Sequence, residues 1–268
     1  MQNQGIDNGR AFDWGSASAD YAKYRDIYPE QLYQALHELG VGRKGQRVLD
    51  IGTGTGVLPR HMARRGAQFT GLDFSEEQLG QARALTQAAG LSIDYVRGDA
   101  HEPPFPAHTF DCITAVQCWQ YIDPEQAIPA FQRVLKAGGC LAVVYMAWLP
   151  EENPVVRRSI ELVRRFNPDW NGYDGRMQYF TPSWCKGNVR LKEMKTLDIE
   201  ISFTREAWNG RMRACRGVGA SLPPERVEAF SGEHMRLLEQ TMPQAFPVLH
   251  EISILIFQLN CPSEPSPV

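Results

Sequence analysis

VLDIGTGTG, residues 48–56, decides the fold. Its first half is an apolar run of strand length, broken only by Asp50. Its second half alternates glycine with threonine, and glycine lets a loop turn tightly and bring its backbone close to a ligand. A helix is predicted from Val57, with Pro59 tolerated in the first turn and Gly66 as its stop. The alternation continues downstream. Residues 69–72 read as a second strand ending at Asp73, and Ser75 with Gln78 forms a capping box for a helix that runs to Gly90. Residues 93–96 read as a third strand closing on Gly98 and Asp99, and 110–116 as a fourth. Asp123 caps a helix opened by Pro124 and ending near Lys136, after which Gly138 and Gly139 turn into a fifth strand over 140–147. Strands that alternate with helices in this way predict a parallel sheet covered on both faces, with right-handed crossovers.

Outside this core the pattern is looser. Residues 1–20 are polar, with Phe12 and Trp14 as anchors, and YAKYRDIY (21–28) precedes Pro29. Leu32, Leu36 and Leu39 at helical spacing predict an amphipathic helix over 30–39, stopped by Gly40. After Trp148 the alternation breaks, and 149–195, rich in Arg, Pro, Asn and aromatics, reads as a lid or insert. Residues 197–203 alternate as a strand, Thr204 caps a helix, Pro223 and Pro224 open another, and 248–259 is a long terminal strand. The expected organisation is a helical cap (1–44), a core (45–148), the insert (149–195), the rest of the sheet (196–260) and a disordered tail (261–268).

The 268 residues, 43% hydrophobic with a net charge of -3, suffice for a full core and lack the basic excess that phosphate binding favours. No nucleic-acid partner is expected. The cysteines Cys112, Cys118, Cys140, Cys185, Cys215 and Cys261 are widely spaced, so neither a metal site nor a disulfide framework is predicted. No basic stretch leads into an apolar run at the start, and no segment approaches the roughly 20 apolar residues of a membrane span. A cytoplasmic protein with no membrane partner is expected, as monomer or homodimer.

The glycine loop carries the chemistry. A dinucleotide fingerprint would need a third glycine at position 57, where Val57 stands. Asp50, just before the loop, would suit an ammonium group and repel a pyrophosphate. Asp73, seventeen residues beyond Gly56, can accept both hydroxyls of a ribose. A nucleoside joined to a cationic group describes S-adenosylmethionine.

In order and spacing, VLDIGTGTG (48–56), FTGLDFSEEQL (69–79), GDAHEPPFP (98–106), FDCITAVQCWQYID (110–123) and RVLKAGG (133–139) resemble the class I methyltransferases. The branch is the small-molecule one similar to ubiquinone/menaquinone and trans-aconitate methyltransferases. The match covers 45–147, while 149–268 matches in outline only. YAKYRDIYP (21–29) resembles a YxxYRPxYP segment of that branch, with Asp26 in place of a proline. The resemblance implies a Rossmann-like doubly wound, mostly parallel seven-stranded sheet with an antiparallel last strand. It implies that the backbone of Gly52, Thr53 and Gly54 holds the methionine moiety and that Asp50 favours its ammonium. Asp73 would bind the ribose, Phe74 would pack on the adenine, and Asp99 and Ala100 would meet the adenine amino edge. Gln78 joins this set, Gln117 and Cys118 would border the methionine end, Arg25 would pair with the carboxylate, and Tyr21 or Tyr24 would close over the donor.

Methyl transfer from a sulfonium is an in-line displacement in which the protein chiefly positions and desolvates. His61, His101, His234 and His250 are the candidate bases, none of them assigned; His101 is expected at the cofactor edge or in solvent. Contacts to a small-molecule acceptor are expected from Tyr24, Tyr28, Trp119, Tyr121, Trp148 and the insert's Trp170, Tyr173, Tyr179 and Trp184. A protein that binds the donor without turnover, or a nicotinamide-dependent dehydrogenase, are the alternatives. VQCWQY after the fourth strand lacks the Asn/Asp-Pro-Pro-Tyr-like segment of amino-directed nucleic-acid enzymes, and no Pro-Cys nucleophile is present.

Overall fold

The computed structural model describes residues 5–172, 175–177, 182–187 and 189–259. Its helices are α1 (Ser18–Tyr24), α2 (Glu30–Glu38), α3 (Val57–Met62), α4 (Glu76–Ala88), α5 (Pro124–Val134), α6 (Pro154–Phe166), α7 (Arg205–Arg213) and α8 (Pro224–Thr241). Its strands are β1 (Arg47–Ile51), β2 (Gln68–Asp73), β3 (Asp94–Arg97), β4 (Phe110–Val116), β5 (Leu135–Trp148), β6 (Val189–Thr204) and β7 (Ala245–Leu259). They form a seven-stranded sheet in the order β3-β2-β1-β4-β5-β7-β6. The pairs β3·β2, β2·β1, β1·β4 and β4·β5 are parallel, and the last strands run antiparallel. The expected Rossmann-like sheet is therefore present.

The chain forms two compact units. One comprises 1–29, 146–177 and 197–252; the other comprises 30–145, 178–196 and 253–268. The second holds the glycine loop. Its strands β1 and β4 are buried along nearly their whole length, because helices cover both faces of a parallel sheet and such strands read as continuous apolar runs. Leu49, Ile51, Leu72, Phe110 and Ile113 lie at its centre. Local signals set the crossovers. Ser75 accepts from Gln78 N–H to start α4, and Asp123 accepts from Glu125 N–H to start α5, with Pro124 in its first turn.

The first unit has its own core, built from α6, α7, α8 and the adjoining strand ends. Val156, Ile160, Val163, Trp208, Met212, Phe230 and Leu238 meet there. Helix α6 lies in the segment expected as an insert. Its apolar residues Val155, Val156, Ile160 and Val163 recur at helical spacing, and Pro154 opens its first turn. Thr204 caps α7 as expected, accepting from Ala207 N–H. Strand β6 begins at Val189, eight residues before the predicted 197, and β5 begins at Leu135 rather than 140. The predicted tail 261–268 lies outside the described residues.

Candidate functional site

The carboxyl ends of β1, β2 and β4 bring the predicted loop residues together. Gly52, Gly54 and Gly56 have φ of +59°, +55° and +72°, a left-handed backbone that glycine adopts without a Cβ penalty. The loop is also close to its neighbours: a Cβ at Gly52 would lie 2.7 Å from Cys118 Cβ. Two buried carboxylates face this loop. Asp50 is 3% exposed and accepts from Thr114 Oγ1–H at 2.6 Å. Asp73 is 7% exposed; its Oδ2 accepts from Gly54 N–H at 2.8 Å and its Oδ1 from Ser75 N–H at 3.0 Å.

Burial pushes the Asp50 carboxyl up to about 7, the Asp73 charge adds to this, and the Thr114 hydroxyl opposes it. Asp73 is also raised by burial, against the hydrogen bonds from Ser75 and Gly54. Among the described residues neither carboxylate has an ion-pair partner. Two buried acids without a cation destabilise each other's charge, so the crevice favours a cationic ligand. The Thr55 hydroxyl is buried and has no hydrogen-bond partner among the described residues. Phe74, just beyond β2, is 55% exposed, unusual for a large apolar ring and suited to a ligand face.

Asp99 and His101 are linked. His101 Nδ1 lies 2.7 Å from Asp99 Oδ1, which also accepts from His101 N–H at 2.9 Å. Burial raises the Asp99 carboxyl, but the His101 backbone and ring outweigh it and leave it lowered. His101 Nε2 accepts from Asp123 N–H at 3.0 Å. A backbone N–H always donates, so Nε2 is the unprotonated nitrogen and Nδ1–H donates to Asp99. The ring ties the turn after β3 to the start of α5; of the two settings the sequence offered, cofactor edge or solvent, it lies beside Asp99 with its basic nitrogen occupied. Asp99 Oδ2 accepts no hydrogen bond among the described residues and remains available. Ala100 lies in the same turn.

Gln78 is buried in the first turn of α4. Gln117 follows β4 with a φ of +58°, a conformation a non-glycine residue holds only under constraint from its surroundings. Its N–H donates to Val144 O at 2.9 Å. Cys118 Sγ–H donates to Ile51 O at 3.0 Å, and burial, with the Asp50 and Asp73 charges, pushes its thiol well up. Sequence reasoning missed two residues here. Thr114, which holds Asp50, is the one hydroxyl residue inside the apolar run 112–116. Tyr145 on β5 lies near Cys118, and burial raises its phenol so that it stays protonated; it carries no local sequence signal.

The remaining expected residues are placed as follows. Trp119 is enclosed, 5.1 Å from the Trp184 ring, which in turn lies 4.6 Å from Phe257. Tyr121 follows in a short turn and is half-buried. His61 stacks on Tyr33 at 4.8 Å. In the first unit, the Arg25 guanidinium sits 4.5 Å from the Tyr21 ring. The Tyr24 ring packs on the Gly210 backbone, where a Cβ would collide with it, and Arg213 sits 5.5 Å from that ring. Tyr28 is half-buried. Trp148 and Trp170 belong to the core, with Trp148 5.7 Å from Trp208. His234 and His250 are buried in that unit too. Tyr173 and Tyr179 lie outside the described residues. The described residues hold no cluster of His, Cys, Asp and Glu suited to a metal, and no helix long and apolar enough to cross a membrane.

Residues 49–143 match a family model described as a methyltransferase domain. An uncharacterized methyltransferase of Mycobacterium tuberculosis is 32% identical over 161 residues, 58% of this chain and 63% of that protein. A ubiquinone biosynthesis O-methyltransferase of Azoarcus sp. is 33% identical over 134 residues, 49% of this chain and 56% of that one. The chain thus spans less than two thirds of the length of these curated relatives. Among solved structures, the YcgJ protein of Bacillus subtilis superposes with a TM-score of 0.52 at 21% identity, covering 88% of this chain and 100% of that one. The [4+2]-cyclase SpnF does so with a TM-score of 0.54 at 18% identity, covering 94% and 98%. These two likenesses establish the fold.

Proposed function

Since its core, residues 49–143, belongs to the class I S-adenosylmethionine-dependent methyltransferases, we propose that this protein transfers a methyl group from S-adenosylmethionine to a small-molecule acceptor. The observation that carries the reading is the pair of buried carboxylates, Asp50 and Asp73, set against a left-handed glycine loop and without an ion-pair partner among the described residues. The residues present fit the donor. The backbone of Gly52, Thr53 and Gly54 would hold its methionine part, with Asp50 opposite the ammonium. Asp73 has hydrogen-bond capacity left for a ribose hydroxyl after its backbone donors Gly54, Ser75 and Phe74. Phe74 offers an exposed ring to the adenine, while Asp99 Oδ2 and Ala100 would meet its amino edge, and Gln78, Gln117 and Cys118 would border the rest.

S-adenosylmethionine, when bound, supplies a methyl group already joined to its sulfonium leaving group. The protein's own work is then to align and to exclude water. Gln117 and Cys118 fix the shape of the crevice at the end of β4 through their hydrogen bonds to Val144 O and Ile51 O. The un-ionised Tyr145 phenol can donate a hydrogen bond there. His101 takes no part as a base, because its Nε2 is committed to Asp123 N–H.

Calorimetry with S-adenosylhomocysteine tests the site. Binding is expected in the wild type, with Asp73→Ala weakening it about a hundredfold, the order expected when two charge-assisted hydrogen bonds are lost. Unchanged affinity in that variant would reject the assignment. Incubating the protein with methyl-labelled donor and metabolite extracts tests turnover. Transfer of label supports the enzyme; binding without transfer favours a protein that holds the donor for another purpose.

A further inference from the structure

The sequence spaces its cysteines far apart, but the register of the sheet brings two of them together. Cys112 on β4 pairs directly with Cys140 on β5, 28 residues later. Neighbouring strands lie about 4.8 Å apart, which is inside the Cα separation of about 4.4–6.8 Å that a disulfide spans. Their sulfurs are 3.2 Å apart, a thiol contact that must shorten by only about 1 Å to become a bond.

Local structure permits that movement. Phe110 pairs with Leu135, yet the next register pair is Cys112 with Cys140. The extra residues of β5 bulge out just ahead of Cys140, with Gly138 at a φ of +79°. A bulge loosens one strand without disturbing the pairing beyond it. The two thiols are also unequal. Cys112 is buried and Cys140 is partly exposed. The contact with Cys112, whose sulfur accepts from Cys140 Sγ–H, lowers the Cys140 thiol, Lys192 lowers it further, and burial opposes both. The partnership with Cys140 and burial raise Cys112. An accessible, more acidic thiol beside a buried, less acidic one is the arrangement of an attacking and a resolving cysteine.

We propose that Cys112 and Cys140 are a reversible dithiol–disulfide site, in which Cys140 attacks a small-molecule disulfide and Cys112 resolves the adduct. With glutathione disulfide as oxidant, the Cys140 thiolate forms a bond to one glutathione sulfur. The glutathione S–S bond breaks, and one glutathione leaves as thiolate with the bonding electron pair. Cys112 then gives up its proton and attacks Cys140 Sγ. The second glutathione leaves and ends as a thiol. Two protein thiols are oxidised and one glutathione disulfide is reduced to two thiols. The other described cysteines lack this arrangement; Cys118, for example, has its thiol turned to the Ile51 carbonyl.

The test incubates the full chain with glutathione disulfide, alkylates remaining thiols and maps peptides without reduction. The expected result is a linked pair of peptides containing Cys112 and Cys140, two fewer alkylated thiols, and reversal by dithiothreitol. In Cys112→Ala a glutathione adduct should persist on Cys140, because nothing resolves it; in Cys140→Ala no adduct should form on Cys112. Alkylation of both residues to the level of untreated protein would overturn the proposal. So would a link through any other pair, or a Cys112→Ala protein that takes up no glutathione at Cys140. The wild-type result needs no substitution, so a variant that fails to fold does not remove the test.

Discussion

Asp50 makes the crevice sensitive to protons. Its folded pKa of about 7 lies above the ordinary 3.8, so it contributes stability that is present below 3.8 and is lost as the pH rises through 7. The ionised form is therefore strained in the empty protein, and a cationic ligand relieves that strain. Binding should then release a proton below about pH 7. S-adenosylhomocysteine is expected to bind about tenfold more weakly for each pH unit below that point, and with nearly constant affinity above it. Asp50→Asn should flatten the profile, weaken binding at high pH and raise the melting temperature there, since each unit of displaced pKa corresponds to about 1.4 kcal/mol. A wild-type affinity that does not change with pH would sink this account of Asp50.

Elements carry a second kind of polar design, one that serves packing. Ser159 on α6, Trp208 and Asn209 on α7, and His234 on α8 form one buried network. Trp208 Nε1–H donates to Ser159 Oγ at 3.0 Å, His234 Nε2 is 2.9 Å from the same oxygen, and His234 Nδ1 is 2.9 Å from Asn209 Oδ1. Ser159 Oγ–H also donates to Val155 O and Asn209 Nδ2–H to Ser231, so three helices are fixed in register by polar groups paired inside an apolar core. Ser159→Ala removes the shared oxygen and leaves a buried indole N–H unsatisfied, at a cost of about 2–3 kcal/mol. Urea denaturation should show this as a lower midpoint; an unchanged midpoint would mean that the core relaxes around the gap. None of this network was legible in the sequence. Helix α6 itself was hidden, because its arginines and the flanking Pro and Asn drew attention away from an apolar stripe at helical spacing. The strands β1, β2 and β4 were legible for the opposite reason: short apolar runs punctuated by glycine, Asp73 and helix caps. In the site, Asp50, Asp73 and the glycines were legible because they are contiguous with that signal. The commitment of His101 was not, since its partner is a backbone N–H 22 residues away. The Cys112–Cys140 pair depends on register, which only the folded sheet defines.

Across the whole molecule the two units should respond to acid in opposite directions. His234 is lowered to about 3 by burial and by Arg213, and His250 to about 4 by burial, with Arg211 adding to it and the Val248 carbonyl opposing. Both contribute stability that is present above the ordinary 6.5 and is lost as the pH falls towards 4 and 3. Asp50, in the other unit, gains from protonation over the same range. Hydrogen exchange compared between about pH 7.5 and about pH 5, corrected for intrinsic rates, should show amides of α6 and α8 losing protection while β1 and β2 keep theirs. Uniform loss across both units would contradict the assignment.

The unit that holds α6, α7 and α8 is assembled from three separate stretches of chain, 1–29, 146–177 and 197–252. An engineer wishing to graft it onto a relative's donor-binding core cannot do so with a single crossover in the gene. The swap needs several junctions, some falling within β5, β6 and β7, where a mismatched seam would disrupt hydrogen-bonded ladders. Mutational drift that retunes this part of the protein must therefore proceed by point changes in place, not by wholesale exchange of a module.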